Sequence, residues 1–265
     1  MTASINSRYF VQILRMLKIV LLINCLWVGV VIGQFSIQNI QDSYFQDFGT
    51  TPINNWQDNT TFQGWYKDPG VFQGEINVTT AGPNNAGGLY AYTCNGSNDR
   101  KIGFRPANSS GGPCTNQSCG HAYGLRIQNQ TGVTVTAITL SYEGFQLSEV
   151  LDGGNQNKIL VDYRIGSNLN GVQLGINGWN NIPNATYFAP VINGSCGGNQ
   201  VAGMPCTQSE NISVCFNVQV LPGEEIMIRF LKSNEPCNDP HLAIDNINID
   251  FHSDCVPPIL STPQN

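Results

Sequence analysis

In the segment HLAIDNINIDF (241–251), an acid and an amide lie where the alternation of apolar and polar residues changes phase. Apolar residues occupy even positions up to Ile244 and odd positions from Ile247, with Asp245 and Asn246 between them. Such a change of phase predicts a β-bulge, which redirects a side chain and often lies beside a functional site. Ca²⁺ takes about six to eight oxygen ligands, and a carboxylate beside irregular backbone carbonyls suits it. The alternative is that Asp245 caps the bend by bonding nearby amides.

Aromatic rings that stack on the CH groups of sugars are a second kind of candidate chemistry. The large candidates are Trp56, Trp65, Tyr66 and Trp179. In a β-sandwich such side chains more often pack in the core or at an edge. Trp179 lies in the polar stretch NGWNNIPN (177–184), so we expect it to be exposed and predict that it binds a ligand.

The sequence carries no motif of a known catalytic arrangement. GHAYG (120–124) has the glycines of a nucleophile elbow without the nucleophile, and no H-E-x-x-H occurs. The acids that could form the carboxylate pair of a glycosidase are Glu143, Glu149, Asp152 and Asp162. Nothing in the sequence pairs them. We predict a non-enzymatic protein, with an extracellular carbohydrate hydrolase as the alternative.

Residues 1–33 predict a secretory signal peptide. Three basic residues precede the apolar run IVLLINCLWVGVVIG (19–33), which is shorter than the roughly 20 residues of a membrane-spanning helix. The small residue Gly33 suits cleavage before Gln34, and an uncleaved membrane anchor is the alternative. We therefore expect a secreted, extracellular protein that is free of the membrane after cleavage.

Cysteine and asparagine patterns suit the secretory pathway. Nine cysteines occur, and removal of Cys25 leaves an even set that predicts disulfide bonds: Cys94, Cys114, Cys119, Cys196, Cys206, Cys215, Cys237 and Cys255. The acceptor pattern for N-glycosylation occurs at Asn59, Asn77, Asn95, Asn108, Asn116, Asn129, Asn184, Asn193 and Asn211. The two patterns together predict a glycoprotein stabilised by disulfides.

The charge of the chain restricts its partners. Charged residues make up only 11% of the sequence, against about 25% in ordinary domains. The net charge of −6 argues against nucleic acid and anionic membranes, because both recruit basic patches. We expect an extracellular glycan or a matrix component as the partner, and the organic matrix of a biomineral is one such case.

Period-two alternation predicts an all-β fold. The alternating windows are YGLRIQ (123–128), AITLSYEGF (137–145), KILVDYRI (158–165), GVQLGIN (171–177), ISVCFNVQV (212–220) and EIMIRFL (225–231). Gly, Pro and Asn separate them, and no window has a helical stripe of useful length. This pattern predicts an antiparallel β-sandwich of jelly-roll type over 34–256, followed by a flexible tail over 257–265.

Cys215 occupies an odd position in a window (212–220) whose apolar residues are even. Its side chain should therefore face away from the core, where a disulfide would hold a loop over the outer face. The loops that offer cysteines are 94–119, 196–206 and 234–237.

From YFQDFGTTP (44–52) onward the sequence resembles the secreted jelly-roll domain of PEP-CTERM-type bacterial surface proteins. The matching stretches are FQDFGTTPINNWQDNTTFQGWY (45–66), GGLYAY (87–92), AYGLRIQNQTGVTVTAITLSYEGFQ (122–146) and LAIDNINI (242–249). The resemblance implies a β-sandwich and carries no catalytic set. The chain departs from it at Phe145, Gln146, Leu147 and Ser148, where those relatives typically have Glu-Gln-Trp-Arg.

The segment LAIDNINI (242–249) also resembles the last strand of MAM domains and of calcium-containing carbohydrate-binding jelly rolls. In those folds an Asp on the last strand often helps to bind a structural Ca²⁺ beside the first strand. The resemblance implies Asp245 as that ligand, with Asp47 on the adjacent first strand as a second one.

Overall fold

A computed structural model describes residues 34–68, 72–78, 86–94, 97–106, 120–172, 177–204, 206, 208–233, 235 and 237–255. The chain separates into a unit over Met1–Gly33 and a unit over Gln34–Asn265. The predicted signal peptide (1–33) and tail (257–265) lie outside the described residues. In the part of the chain that is described, no helix is long and apolar enough to cross a membrane.

The described residues form short strands joined by turns. The first strands are β1 (Phe35–Ile37), β2 (Ser43–Gln46), β3 (Trp65–Lys67), β4 (Phe72–Val78), β5 (Gly88–Cys94), β6 (Arg100–Arg105), β7 (Gly120–Asn129) and β8 (Val135–Gln146). The others are β9 (Ser148–Asp152), β10 (Lys158–Gly166), β11 (Asn180–Asn181), β12 (Tyr187–Phe188), β13 (Cys196–Gly203), β14 (Ser209–Val220), β15 (Glu225–Ser233) and β16 (Leu242–His252).

Two seven-stranded sheets form the sandwich. The β15 sheet has the order β1-β7-β15-β10-β11, with β3 beside β7 and β12 beside β10. The β16 sheet has the order β14-β8-β16-β6-β5-β4, with β2 beside β16. Pairing is antiparallel except between β1 and β7 and between β4 and β5. The predicted disulfide-stabilised, all-β sandwich is confirmed.

Alternating side chains fill the space between the sheets. In β14, Ile212 and Phe216 are buried whereas their neighbours along the strand are mostly exposed, as the period of two predicts. Phe230 of β15 packs edge-to-face on Tyr142 of β8, with ring centroids 5.3 Å apart, so the two sheets meet directly. Trp65 is fully buried, and its Nε1 donates to the Tyr44 hydroxyl at 2.6 Å.

One predicted strand is wrong at its described positions. Residues 171, 172 and 177 lie outside strands, and 173–176 lie outside the described residues. Val172 packs with Leu169 and Met227 on the outer face of the β15 sheet. Val172 therefore belongs to a loop that covers a sheet, although the spacing of this window predicted a strand.

Two disulfides are defined between described cysteines. Cys215 is exposed on the outer face of β14 and is bonded to Cys255, with their Cα atoms 5.7 Å apart. None of the three loops predicted to reach Cys215 supplies this partner. The reason is the sheet order: β14 and β16 flank β8, so the chain leaving β16 only has to cross β8.

The other described disulfide joins Cys94 to Cys206, with their Cα atoms 6.0 Å apart. Cys237 is disulfide-bonded as well. Cys114, Cys119 and the side chain of Cys196 lie outside what the structure describes.

The predicted bulge is present in β16. The register against β8 shifts between Asp245 and Asn248, and Asn246 has a positive φ of 52°. On its other side β16 pairs with β6 up to Ile244 and with β2 from Ile247. The bulge therefore lies where the strand paired with β16 changes from β6 to β2. Asn246, in the left-handed conformation, accommodates the extra residue.

Candidate functional site

An open groove of about 660 Å³ lies along one side of the sandwich. β14 is the last strand of one sheet and β11 the last strand of the other, and both contribute to its walls. The lining residues are Tyr163, Trp179, Asn180, Asn181, Pro183, Asn184, Val214, Cys215, Phe216 and Asn217. We call this feature the Trp179 groove. It contains the residue that the sequence predicted to bind a ligand.

The expected exposure of Trp179 is wrong: its side chain is half-buried, because arginines of the β15 sheet pack against the ring. The Arg229 guanidinium lies 3.9 Å from the centroid of the indole ring, and that of Arg164 lies 5.2 Å away. Arg229 is itself fixed by two bonds to the Asp162 carboxylate, at 2.9 and 2.5 Å. A cation over an aromatic face contributes about 0.5–2 kcal/mol, so the indole is held in place before any ligand arrives.

Two further aromatic rings line the groove. Tyr163 of β10 and Phe216 of β14 pack with ring centroids 5.4 Å apart, which joins the edges of the two sheets. Phe216 is only 6% exposed, whereas Tyr163 is half-buried. Neither residue was singled out from the sequence, because both read as ordinary members of alternating strands.

Exposed amides complete the lining. Asn180, Asn181, Asn184 and Asn217 are all exposed. A primary amide offers both hydrogen-bond donors and an acceptor and carries no charge. The groove therefore combines flat apolar rings with neutral polar groups, an arrangement that can hold a hydroxyl-rich molecule by stacking and hydrogen bonding.

The turn that carries Asn184 is anchored at both ends. Ala185 N donates to Ile182 O at 3.3 Å, with Pro183 second and Asn184 third in the turn and φ of Asn184 at 63°. Proline at the second position and a left-handed asparagine at the third are typical of a type II turn. Ile182 and Ala185 are fully buried, and Ala185 O accepts a bond from the Tyr142 hydroxyl at 2.7 Å.

Asp245 is fully buried and paired with a lysine. Its Oδ2 lies 3.3 Å from Lys101 Nζ, which also bonds Asp99 Oδ2 at 2.9 Å. Burial raises the pKa of Asp245 to about 6, against the opposing effect of the Lys101 charge. Burial lowers the pKa of Lys101, but the bonds and charges of Asp99 and Asp245 outweigh this, so the net shift is upward and the ammonium stays charged.

The predicted calcium ion does not fit this arrangement. A divalent ion about 4 Å from the Lys101 ammonium would be repelled by about 8 kcal/mol at an effective dielectric constant of about 20. In the described part of the chain, Asp245 Oδ1 has no hydrogen-bond partner and could accept a cation, but Asp47 is exposed just after β2. Among the described residues, no three His, Cys, Asp or Glu side chains gather into a metal-binding group.

The four acids considered for a glycosidase have structural partners. Asp162 binds Arg229, Asp152 accepts from the backbone N–H groups of Gly154 and Asn193, Glu149 accepts from the Asn193 amide, and Glu143 accepts from the Asn246 amide. Glu149 and Asp152 share Asn193 as a partner, but Asp152 is buried, whereas Glu149 is exposed.

A separate buried polar cluster lies where β15 ends. Lys232 is fully buried, and its Nζ donates to Asn157 Oδ1 at 2.6 Å and to Asp239 Oδ1 at 2.5 Å. Burial lowers the pKa of Lys232, against the attraction of Asp239. Because these groups are sealed from solvent and bonded to one another, they offer no surface to a ligand, and removal of one partner would leave a buried charge unpaired.

The glycosylation acceptors divide by the state of their side chains. Asn77, Asn184 and Asn211 are exposed. Asn129 is 2% exposed, and its Nδ2 donates to Val133 O and Val220 O, both at 2.8 Å, so a glycan on that nitrogen does not fit the folded protein.

Of the remaining acceptors, two have hydrogen-bonded side chains and the others lie outside the described residues. Asn193 Nδ2 also donates two bonds, to Glu149 Oε1 at 3.1 Å and to Val150 O at 2.7 Å. Asn59 is half-buried and accepts a bond from Gly64 N at 2.8 Å. Asn95, Asn108 and Asn116 lie outside the described residues.

No protein-family model matches the sequence, and no curated protein matches it. Solved structures with a similar fold include the CBM22-1 xylan-binding domain of Paenibacillus barcinonensis Xyn10C, at 9% identity and a TM-score of 0.36, covering 81% of this chain and 97% of that one. They also include the C-terminal family 22 carbohydrate binding module of Clostridium thermocellum Xyn10B (9% identity, TM-score 0.39, 81% and 95% covered). A third is the mannan-recognising module TmCBM27 (9% identity, TM-score 0.40, 79% and 96% covered). These neighbours are carbohydrate-binding modules, at identities and TM-scores too low to carry any ligand over to this chain.

Proposed function

We infer that this protein is a secreted, non-enzymatic glycan-binding module that uses the Trp179 groove. The observation that carries this inference is the lining of the groove: a supported indole, two further rings and four exposed amides. Its volume of about 660 Å³ suits a ligand of a few sugar units, since small-molecule sites generally measure about 300–1,000 Å³.

The chemistry of the lining favours neutral glycans. Sugar rings present CH groups on one face and hydroxyls at the rim, so rings and amides in one groove match both. Asp162 is the carboxylate nearest to Trp179 in sequence among those considered for catalysis. It is already bonded to Arg229, so its charge is paired within the protein. No observation on the described residues favours the hydrolase alternative over simple binding.

A matrix partner is compatible with the same groove, because extracellular matrices contain glycans. The net charge of −6 is spread over a chain with few charged residues, which supports a globular matrix glycoprotein over a strongly mineral-directing one. The sequence resemblance to secreted surface proteins supports an extracellular location, as do the two defined disulfides.

A glycan array with the secreted protein tests the proposal. We expect binding to neutral oligosaccharides and a loss of about tenfold or more in affinity on Trp179→Ala, because the variant removes the main stacking surface. Phe45→Ala is the matched control, since Phe45 is 61% exposed and lies outside the groove. Equal binding by wild type and the Trp179 variant would overturn the proposal.

A further inference from the structure

Asn184 is a glycosylation acceptor that lines the groove itself. The acceptor sequence is Asn184-Ala185-Thr186. Within the described residues, the Asn184 side chain is exposed and has no hydrogen-bond partner, in contrast to the amide of Asn129. Of the exposed acceptors, Asn77 lies on β4 at the opposite edge of its sheet, and Asn211 on β14 is not part of the lining.

The position of Asn184 is fixed by the fold. Its turn closes on two fully buried residues, Ile182 and Ala185, and Ile182 N is bonded to Val161 O of β10 at 3.0 Å. A glycan on this asparagine therefore starts at one wall of the groove, with Trp179 and Tyr163 within the same groove. Asn184 has a positive φ in this turn, and its side chain is exposed.

We propose that an N-linked glycan on Asn184 lies in the Trp179 groove and regulates access of external glycans to it. This rests on the proposed function, in that the groove is taken to bind sugars. The modification is the transfer of an oligosaccharide from a polyisoprenyl diphosphate donor. The anomeric C–O bond to the diphosphate breaks, a C–N bond to Nδ2 forms, the amide loses one proton, and the diphosphate leaves.

Tethering gives this glycan a competitive advantage. A group linked beside its binding site is present at an effective concentration of the order of millimolar. An external sugar below that concentration occupies the groove only if it binds more tightly than the tethered one. The glycan thus excludes weakly binding ligands from the groove but not tightly binding ones. In protein that lacks a glycan on Asn184, the groove is accessible to both.

The test uses the full chain secreted from eukaryotic cells. Glycopeptide mapping first measures occupancy of Asn184. Two variants then remove the acceptor: Asn184→Gly keeps a residue that tolerates the positive φ, and Thr186→Ala keeps the asparagine and its turn. Asn77→Gln is the matched control, because it removes an exposed acceptor far from the groove. Each is combined with Trp179→Ala, and thermal stability and glycan-array binding are measured for all.

We expect Asn184 to carry a glycan, and both acceptor variants to lower Tm by a few degrees. Thr186→Ala, which keeps the lining amide, should raise array binding at least threefold, and Asn184→Gly, which removes that amide, should raise it less. In the Trp179→Ala background the same variants should change neither quantity, because the tethered sugar has lost its contact. The Asn77 control should leave both unchanged in either background.

The outcomes separate the two proposals. An unoccupied Asn184, or equal effects of its loss with and without Trp179, overturns the regulatory role. If Trp179→Ala still abolishes external binding in that case, the glycan-binding function stands alone. If loss of the Asn184 glycan lowers Tm only when Trp179 is present but no external glycan binds, the tethered contact stands and the proposed function fails.

Discussion

The carboxyl group of Asp245 is governed by its burial. It faces Lys101 in a fully buried position, and its folded-state pKa of about 6 exceeds the ordinary value of 3.8. Between these pH values the folded chain binds more protons at this site than the unfolded chain does. Stability from this group is therefore present at low pH and is lost as the pH rises through about 6, by on the order of 3 kcal/mol.

Asp245→Asn should therefore remove this pH dependence. We expect urea unfolding of the variant to vary less than wild type between about pH 4 and about pH 6, and its stability at about pH 7 to equal or exceed that of wild type. Lys101 keeps Asp99 as a partner in the variant. A loss of more than about 2 kcal/mol at neutral pH would show that the ionised pair stabilises the fold.

The pairing with Lys101 also predicts the response to calcium. Thermal melts in calcium and in EDTA should give the same Tm, because the ammonium supplies the positive charge that a metal ion would bring. Lys101→Met should leave the buried carboxylate unpaired and lower Tm in both buffers. A rise in Tm with calcium for the wild type would contradict the assignment and restore Asp245 as a metal ligand.

Asn129 is a structural residue despite its acceptor sequence. Its amide bridges the carbonyls of Val133 and Val220, and its Oδ1 accepts from Thr131 N at 3.0 Å. Asn129→Asp replaces the Nδ2 donor with an oxygen that faces these two carbonyl oxygens. Because both hydrogen bonds are lost, the variant should be less stable by about 1–3 kcal/mol. Urea unfolding measures this, with Asn77→Asp as the exposed control. Equal stability of the two variants, or a glycan mapped to Asn129, would refute the structural role.

At the scale of elements, β14 ties the groove to the rest of the sandwich. The Cys215–Cys255 bond closes a loop with a sequence separation of 40 residues, for which chain entropy gives about 4 kcal/mol. Changing both cysteines to Ser should lower the free energy of unfolding by about 2–4 kcal/mol. Urea unfolding at matched pH is the measurement, and a loss below about 1 kcal/mol would mean that β14 is held by pairing with β8 alone.

The sequence predicted the elements whose signal is local. The alternation of 212–220 and the phase shift at Asp245 both appear as expected, because each depends only on the period of a strand. The partner of Cys215 could not be predicted, since it depends on β16 lying across β8 from β14. The loop over 171–172 was misjudged for the same reason: apolar spacing does not show whether a residue covers a sheet or belongs to one.

At the scale of the molecule, the groove follows from how the two sheets end. It forms where the edge strands β11 and β14 approach each other, and its lining comes from segments far apart in sequence. Trp179 was identified from its polar surroundings alone. Tyr163 and Phe216 could not be, because only the sheet order places them at an open edge.

The most direct test of glycan binding is to follow the NMR signals of the tryptophan indole N–H groups during a titration. The sequence has four tryptophans, and cleavage of the predicted signal peptide, which contains Trp27, leaves three indole N–H signals. Trp65 Nε1 donates to Tyr44 and Trp56 Nε1 to Asp58, whereas Trp179 Nε1 has no hydrogen-bond partner among the residues that the structure describes. On titration with an array-selected oligosaccharide, the Trp179 signal should shift and the other two should stay fixed. An unmoved Trp179 signal at saturating ligand would contradict the proposed function.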